Sequence, residues 1–374
     1  MFKFISHLFF IAVSLFSLQN CDSPPEKTQQ FQQKSVPNNL PVRHTKKVAI
    51  LLPLSGEHSK LGQQLLKSAE LALFSFENHN IELLPKDTKG DPNVAKVMTK
   101  EAIQEGVELI LGPLFASEID SIRPLAIAHT IPILSFTNNL EKAGQGVFVF
   151  GFSPDSQTKS ILNFARNQGY KHYAALLPEN PFGHRIQEEF LKFVEEHHLP
   201  VAVSLFYQPK TRGFEMALEK LRTEKVEALL IPEGGANVLE IAKYMHEMGL
   251  SHIRLLGSGQ WDDDVITSNP LMEGGWYPAL KNSKGWFERA YESSYGEKPH
   301  RLASLAFDMV SLAISLNKAS PKNLFTYQTL IRPEGFKGVD GFFKIHSSGE
   351  TERALKIFHI TEGSGKEIGG RKGM

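Results

Sequence analysis

From Lys46 onward, short wholly apolar runs alternate with stretches whose apolar residues recur every three or four positions. The first series opens with VAILLPL (48–54), followed by Leu61, Leu65, Ala69, Ala72 and Phe76 at helical spacing. Further apolar runs follow at 81–85, 107–113, 131–137 and 147–152, with helical patterns between the first four. The alternation then restarts, with runs at 173–179, 201–207, 226–235 and 253–259. An uninterrupted apolar run is the mark of a strand covered on both faces. Strands separated by helices pair in parallel. Two such series predict an α/β chain with two doubly wound parallel-sheet lobes. Near the C-terminus, FERAYESSYG and RLASLAFDMVSLAISL read as helices, and GVDGFFKIHSSGETERALKIFHI reads as a hairpin turning at SSGE.

The first twenty residues stand apart. Lys3 precedes FISHLFFIAVSLFSL, an apolar run of signal-peptide length that is short for a membrane span. Cys21, the single cysteine, lies where cleavage would fall, and the arrangement resembles a bacterial lipoprotein signal. Leu18 fits that pattern and Asn20 departs from it, because a small residue usually precedes the cysteine. Lipidation of Cys21 would anchor the mature chain to a membrane; the alternative is ordinary secretion. Both place it outside the cytoplasm. Residues 22–45 are polar, rich in Pro and Gln, and aperiodic, as expected of a disordered tether. As a coil they would reach roughly 25–30 Å.

Within the body, the stretch LLPLSGEHSKLGQQLLKSAELAL resembles the first strand, turn and helix of the type I periplasmic binding fold, in its leucine-binding-protein branch. DTKGDPNVAKVMTKEAIQEGVELILGPLFASEI, IPILSFTNN, YAALLPENPFGHRIQEEF and FERAYESSYGEKPHRLASLAFDMVSLA follow in the order of that family. The segments LLPENPFG, LIPEGG, LLGSGQWDD, GGWY and GFKGVDGFF are most similar to the penicillin-binding-protein activators within the branch. The resemblance covers about residues 46–360. It implies two lobes joined by a three-strand hinge, crossing near Phe152, Trp276 and Asp340. Lobe 1 would be 46–151 plus 277–338, lobe 2 would be 152–276 plus 339–361, and 362–374 would be a flexible tail. Gly151, Gly274, Gly275, Gly338 and Gly341 lie near these crossings, where glycine serves a hinge or an ordinary turn.

Open parallel sheets bind ligands beyond the carboxyl ends of their strands. Those ends carry hydroxyls, amides and free backbone N–H groups, which suit a small polar solute and above all a carboxylate. The candidates are Ser55, Leu114, Phe115, Ala116, Ser135, Thr137, Phe182, Glu233, Gln260 and Trp261. Ser55 also suits a helix cap, and Glu233 suits either a ligand ammonium or solvent. The resemblance implies that Ser135 and Thr137 contact the ligand's polar groups and that Phe182 covers it. Trp261, a large aromatic in a loop, calls for something to meet. The amino-acid binders of the family usually have an aromatic before the Gly-Gln of the first helix, where this chain has Leu61.

The remaining features narrow the function. There is no G-x-S-x-G, H-E-x-x-H or G-x-x-x-x-G-K-[ST] pattern, and the turn after the first run is not G-x-G-x-x-G. No cofactor or metal is therefore expected, and Asp262, Asp263 and Asp264 read as a solvated loop. The 41 basic and 41 acidic side chains cancel, which gives no reason to expect nucleic acid. The expectation is a non-catalytic periplasmic binding protein for an amino-acid-like solute, with an ABC permease as partner. The alternative is a lipoprotein that regulates a peptidoglycan synthase by protein contacts.

Overall fold

The computed structural model describes residues 45–77, 79–200, 203–209, 213–280, 285–319 and 325–370. The leader, Cys21 and the tether through residue 44 lie outside the described residues. The first series of runs becomes strands β1 (Lys46–Leu52), β2 (Ile81–Asp87), β3 (Leu109–Leu111), β4 (Ile133–Ser135) and β5 (Val147–Val149). They form one parallel sheet in the order β2-β1-β3-β4-β5. Helices α1 (Ser59–Ser75), α2 (Pro92–Gln104) and α3 (Ala116–Ala128) connect them. Every residue from Val48 to Leu52 is fully buried, because both faces of β1 are covered.

The second lobe begins with α4 (Pro154–Asn167), followed by β6 (Tyr173–Pro178), α5 (Pro181–Glu196), β7 (Val203–Tyr207) and α6 (Phe214–Leu221). It continues through β8 (Ala228–Leu230), α7 (Gly235–Glu247), β9 (Arg254–Leu256), the short α8 (Asp264–Thr267) and β10 (Trp276–Leu280). The chain then returns to the first lobe as α9 (Trp286–Tyr295), α10 (Ala303–Ala319) and the short α11 (Tyr327–Leu330). A small antiparallel sheet follows: β11 (Phe336–Gly338), β12 (Gly341–Ile345) and β13 (Thr351–Arg353). Last come β14 (Leu355–Thr361) and β15 (Ser364–Gly370). They complete the second sheet, in the order β15-β14-β10-β9-β8-β6-β7.

Each sheet is packed on both sides. In the first lobe, α2 and α3 cover one face, while α1, α9 and α10 cover the other. In the second lobe, α4 and α5 lie on one face and α6 and α7 on the other. This is the doubly wound architecture that the two series of runs predict.

Two of the expected lobe boundaries move. Trp276–Leu280 is paired with β9 and β14, so the second crossing lies after Leu280 rather than near Trp276. Phe343 and Ile345 are buried in the first-lobe core, where Phe343 stacks on Phe336 at 5.5 Å. The third crossing is therefore at Ala354, whose N–H still bonds to Phe342 of the first lobe, and not at Asp340. The apolar alternation of β12 belongs under α10, and that decides the matter.

The expected flexible tail is also a strand as far as Gly370. Glu362 and Gly363 both have positive φ (52° and 70°) and make the two-residue turn that joins β15 to β14. Gly151 at the first crossing and Gly338 at the end of β11 are both required for close approach. A methyl group at Gly151 would sit 2.3 Å from the Thr137 carbonyl oxygen, and one at Gly338 would sit 2.3 Å from Asp308 Oδ2.

A buried ion pair stands behind the third crossing. Arg353 Nη1 donates to Asp308 Oδ2 at 3.0 Å, and the Val339 N–H donates to the other carboxylate oxygen at 2.7 Å. The guanidinium also lies over the Phe150 ring, 4.6 Å from its centroid. Burial pushes the Asp308 carboxyl up to about 6 despite the arginine beside it.

Candidate functional site

Three helices begin at the gap between the lobes, and their caps fix where. Ser153 Oγ accepts the Ser156 N–H at 3.2 Å and starts α4 at Pro154. Asn180 Oδ1 accepts the Gly183 N–H at 2.9 Å and starts α5 at Pro181. Gly183 is needed there, because a methyl group would lie 1.9 Å from the Pro178 carbonyl oxygen. Glu118 reaches back from α3 to accept the Phe115 N–H at 3.0 Å.

Between these helix starts lies a cleft of ≈ 390 Å³. Leu114, Phe115, Ala116 and the Phe136–Asn138 segment line it from the first lobe. Gln157, Thr158, Phe182, Ser258 and Gln260 line it from the second. Arg301, just before α10, reaches in from the returning chain.

Arg301 is the one charged residue in the lining. Its guanidinium stands over the Phe152 ring at 4.7 Å and makes no ion pair among the described residues. The side chain is open to solvent at the cleft, yet surrounding protein desolvates it and lowers its pKa, while Asp262 and Asp340 act in the opposite direction. Gly259 leaves the guanidinium its room: a methyl group there would lie 2.6 Å from Nη2. The Gly259 N–H donates to Gln157 Oε1 at 2.7 Å, which ties the 258–261 turn to α4. An arginine open to the cleft beside three helix N-termini gives it a positive field suited to an anion.

Six of the ten residues expected at the site line the cleft: Leu114, Phe115, Ala116, Thr137, Phe182 and Gln260. The other four do not. The Ser55 hydroxyl donates to Asp87 Oδ2 at 2.6 Å, and Asp87 Oδ1 accepts the Leu54, Ser55 and Lys89 N–H groups. The polar turn after the first strand is thus satisfied within its own lobe. These bonds outweigh desolvation and hold the Asp87 carboxyl below the usual carboxylate range.

Ser135 is fully buried and donates to the Pro113 carbonyl at 2.9 Å, supporting the loop beneath the cleft. Glu233 turns its carboxylate to the Asn237 amide at 3.3 Å, and its own burial raises its pKa. Trp261 is fully buried in the second-lobe core, and its indole N–H donates to the Glu233 carbonyl at 2.7 Å. Gly257 and Gly275 open the space for that ring, which explains a tryptophan in a loop without any ligand. Asp263 caps α8 by accepting the Val265 N–H at 2.7 Å.

The sequence reading missed Gln157, Thr158, Ser258 and Arg301. Arg301 had a signal: a cation immediately before an apolar helix opposes the helix dipole, so it needs another reason to be there.

The sequence pattern of the periplasmic binding proteins matches residues 45–360. The chain belongs to the periplasmic binding protein family. Among relatives, this family member is 28% identical over 144 residues to the penicillin-binding protein activator LpoA of Haemophilus ducreyi. That match covers 38% of this chain and 24% of the relative. The chain spans less than half the length of the curated relatives it matches.

Among solved structures, it superposes on the leucine-binding protein LivK of Thermotoga maritima with TM-score 0.65 and 18% identity, covering 87% of this chain and 98% of that one. The solute-binding protein of an ABC transporter from Rhodopseudomonas palustris, in complex with 3,4-dihydroxybenzoic acid, gives TM-score 0.66 and 18% identity, with 87% and 96% covered. At these identities the likeness establishes the periplasmic binding fold and its two lobes.

Proposed function

We propose that this periplasmic binding protein is non-catalytic and extracytoplasmic, and closes its lobes on a small organic carboxylate for uptake or sensing. The observation that carries the reading is Arg301, a cation without an ion-pair partner among the described residues, in a two-lobed cleft where three helices begin. The amino-acid-like solute expected from the sequence would bind through its carboxylate end. Closure follows because contacts from both lobes stabilise the closed arrangement over the open one. Uptake would require an ABC permease, and Cys21 would hold the protein at the membrane through a lipid.

The test is a thermal melt against a panel of small carboxylates, with isothermal titration of the hits. A ligand at a hundred times its dissociation constant stabilises by about 2.7 kcal/mol. Arg301→Met should abolish the stabilisation. No stabilisation by any carboxylate would refute the reading.

A second reading has its own support in the similarity to the penicillin-binding protein activator. In that reading the protein regulates a peptidoglycan synthase through surface contacts. Capture of a peptidoglycan synthase on immobilised protein, unaffected by Arg301→Met, would favour it.

A further inference from the structure

The cleft that holds Arg301 has no opposite charge to offer. Eight of its lining side chains are Leu, Ile or Phe, and neither Asp nor Glu is among them. Asp262 and Asp340 act on Arg301 from outside this lining, and the carboxylates on the elements that border the cleft are held by protein groups. Glu118 is fully buried and holds the Phe115 N–H. Asp155 is paired with Arg185 at 2.5 Å, Glu179 with His184 at 2.8 Å, and Glu233 with Asn237. Asp262 accepts from the Tyr277 hydroxyl at 3.3 Å.

An α-amino acid brings an ammonium within a few ångströms of its carboxylate. Here that ammonium would leave water for a lining of neutral amides, hydroxyls and rings, beside Arg301 and the positive ends of α3, α4 and α5. Desolvation and field both oppose it. The carboxylate end meets the reverse situation, because Arg301 and the three helix N-termini in the lining favour it.

We propose that the cleft selects a small monocarboxylate that lacks an α-ammonium and carries an aromatic or branched-alkyl body. The carboxylate binds Arg301, and the body lies against Phe115, Phe136 and Phe182. The cleft volume is within the range of small-molecule sites, roughly 300–1,000 Å³. This inference rests on the carboxylate-binding reading above and narrows it: the solute is the deaminated counterpart of the amino-acid-like one.

The experiment is isothermal titration with matched pairs that differ only in the amino group: 3-phenylpropanoate against L-phenylalanine, and 4-methylpentanoate against L-leucine. The deaminated member should bind at least about tenfold more tightly in one or both pairs. Gln260→Glu, which places a carboxylate in the cleft, should reverse or narrow the preference in a bound pair. If the amino acid binds equally or better and Arg301→Met abolishes that binding, this inference falls while the carboxylate-binding reading stands. If neither member of any pair binds, both fall. Binding of 3-phenylpropanamide as tightly as the acid would also overturn the inference.

Discussion

Replacing Trp261 with alanine separates two accounts of this residue by their sign in different assays. The side chain is fully buried, its indole N–H is bonded to the Glu233 carbonyl, and Gly257 and Gly275 press against its ring. Truncating a buried tryptophan to alanine costs about 3–5 kcal/mol in lost transfer energy and residual cavity. The freed Glu233 carbonyl adds about 1–3 kcal/mol where water does not reach it. A domain of this lobe's size loses roughly 2–4 °C per kcal/mol, so the melting temperature should fall by roughly 8–30 °C. Trp261→Phe keeps most of the ring volume and should recover a large part of that loss. Thermal melts followed by circular dichroism, with urea titration as a check, provide the measurement. A drop below about 2 °C in the alanine variant, together with weakened ligand binding, would return Trp261 to the cleft and refute the packing argument.

Three further outcomes follow from buried groups and from the last strand. Arg353→Met leaves Asp308 buried without its partner and should cost about 3–5 kcal/mol in urea unfolding, much of it recovered in the double variant with Asp308→Leu. Glu288, on α9, is raised to about 7 by burial first and by the Asp340 charge second. Between about pH 4.5 and 7 its folded form holds a proton that the unfolded chain has lost, so wild-type stability falls as pH rises through that window. Glu288→Gln should therefore gain stability over wild type as pH rises, with the difference closing near pH 4.5; an unchanged gap at both pH values would contradict it. Ending the chain at Glu362 removes β15 and leaves β14 unpaired on that side, so the melting temperature should drop by several degrees, where a flexible tail would leave it unchanged.

The order of strands and helices was legible because fully covered strands have a composition of their own. The run VAILL has no polar residue to face solvent, and every one of its side chains is buried. Cleft residues at helix starts were legible for a related reason: Phe115 and Phe182 follow directly from where α3 and α5 begin. What stayed hidden was competition among polar groups distant in sequence. Ser55 looks available until Asp87, 32 positions on, takes both its N–H and its hydroxyl. Glu233 looks able to meet an ammonium until Asn237 and its own desolvation are seen. Trp261 looks exposed until two glycines make a slot for it. The crossing at Ala354 was hidden because β12 has the same alternation whichever lobe it joins, and only contact with Phe336 and Phe150 decides.

The first sheet's two coverings come from very different distances along the chain. The layer made by α2 and α3 is local, complete within residues 49–147. The opposite layer needs α10 and β12, so that face gathers residues from Val48 through Ile345. A chain made from its N-terminus therefore carries an apolar sheet face covered only in part, by α1, until nearly all of it has been synthesised, while α4 through β9 already lie between. The N-terminal lobe is the one that finishes late. Premature release would leave that surface open to aggregation, and chaperone dependence should concentrate there.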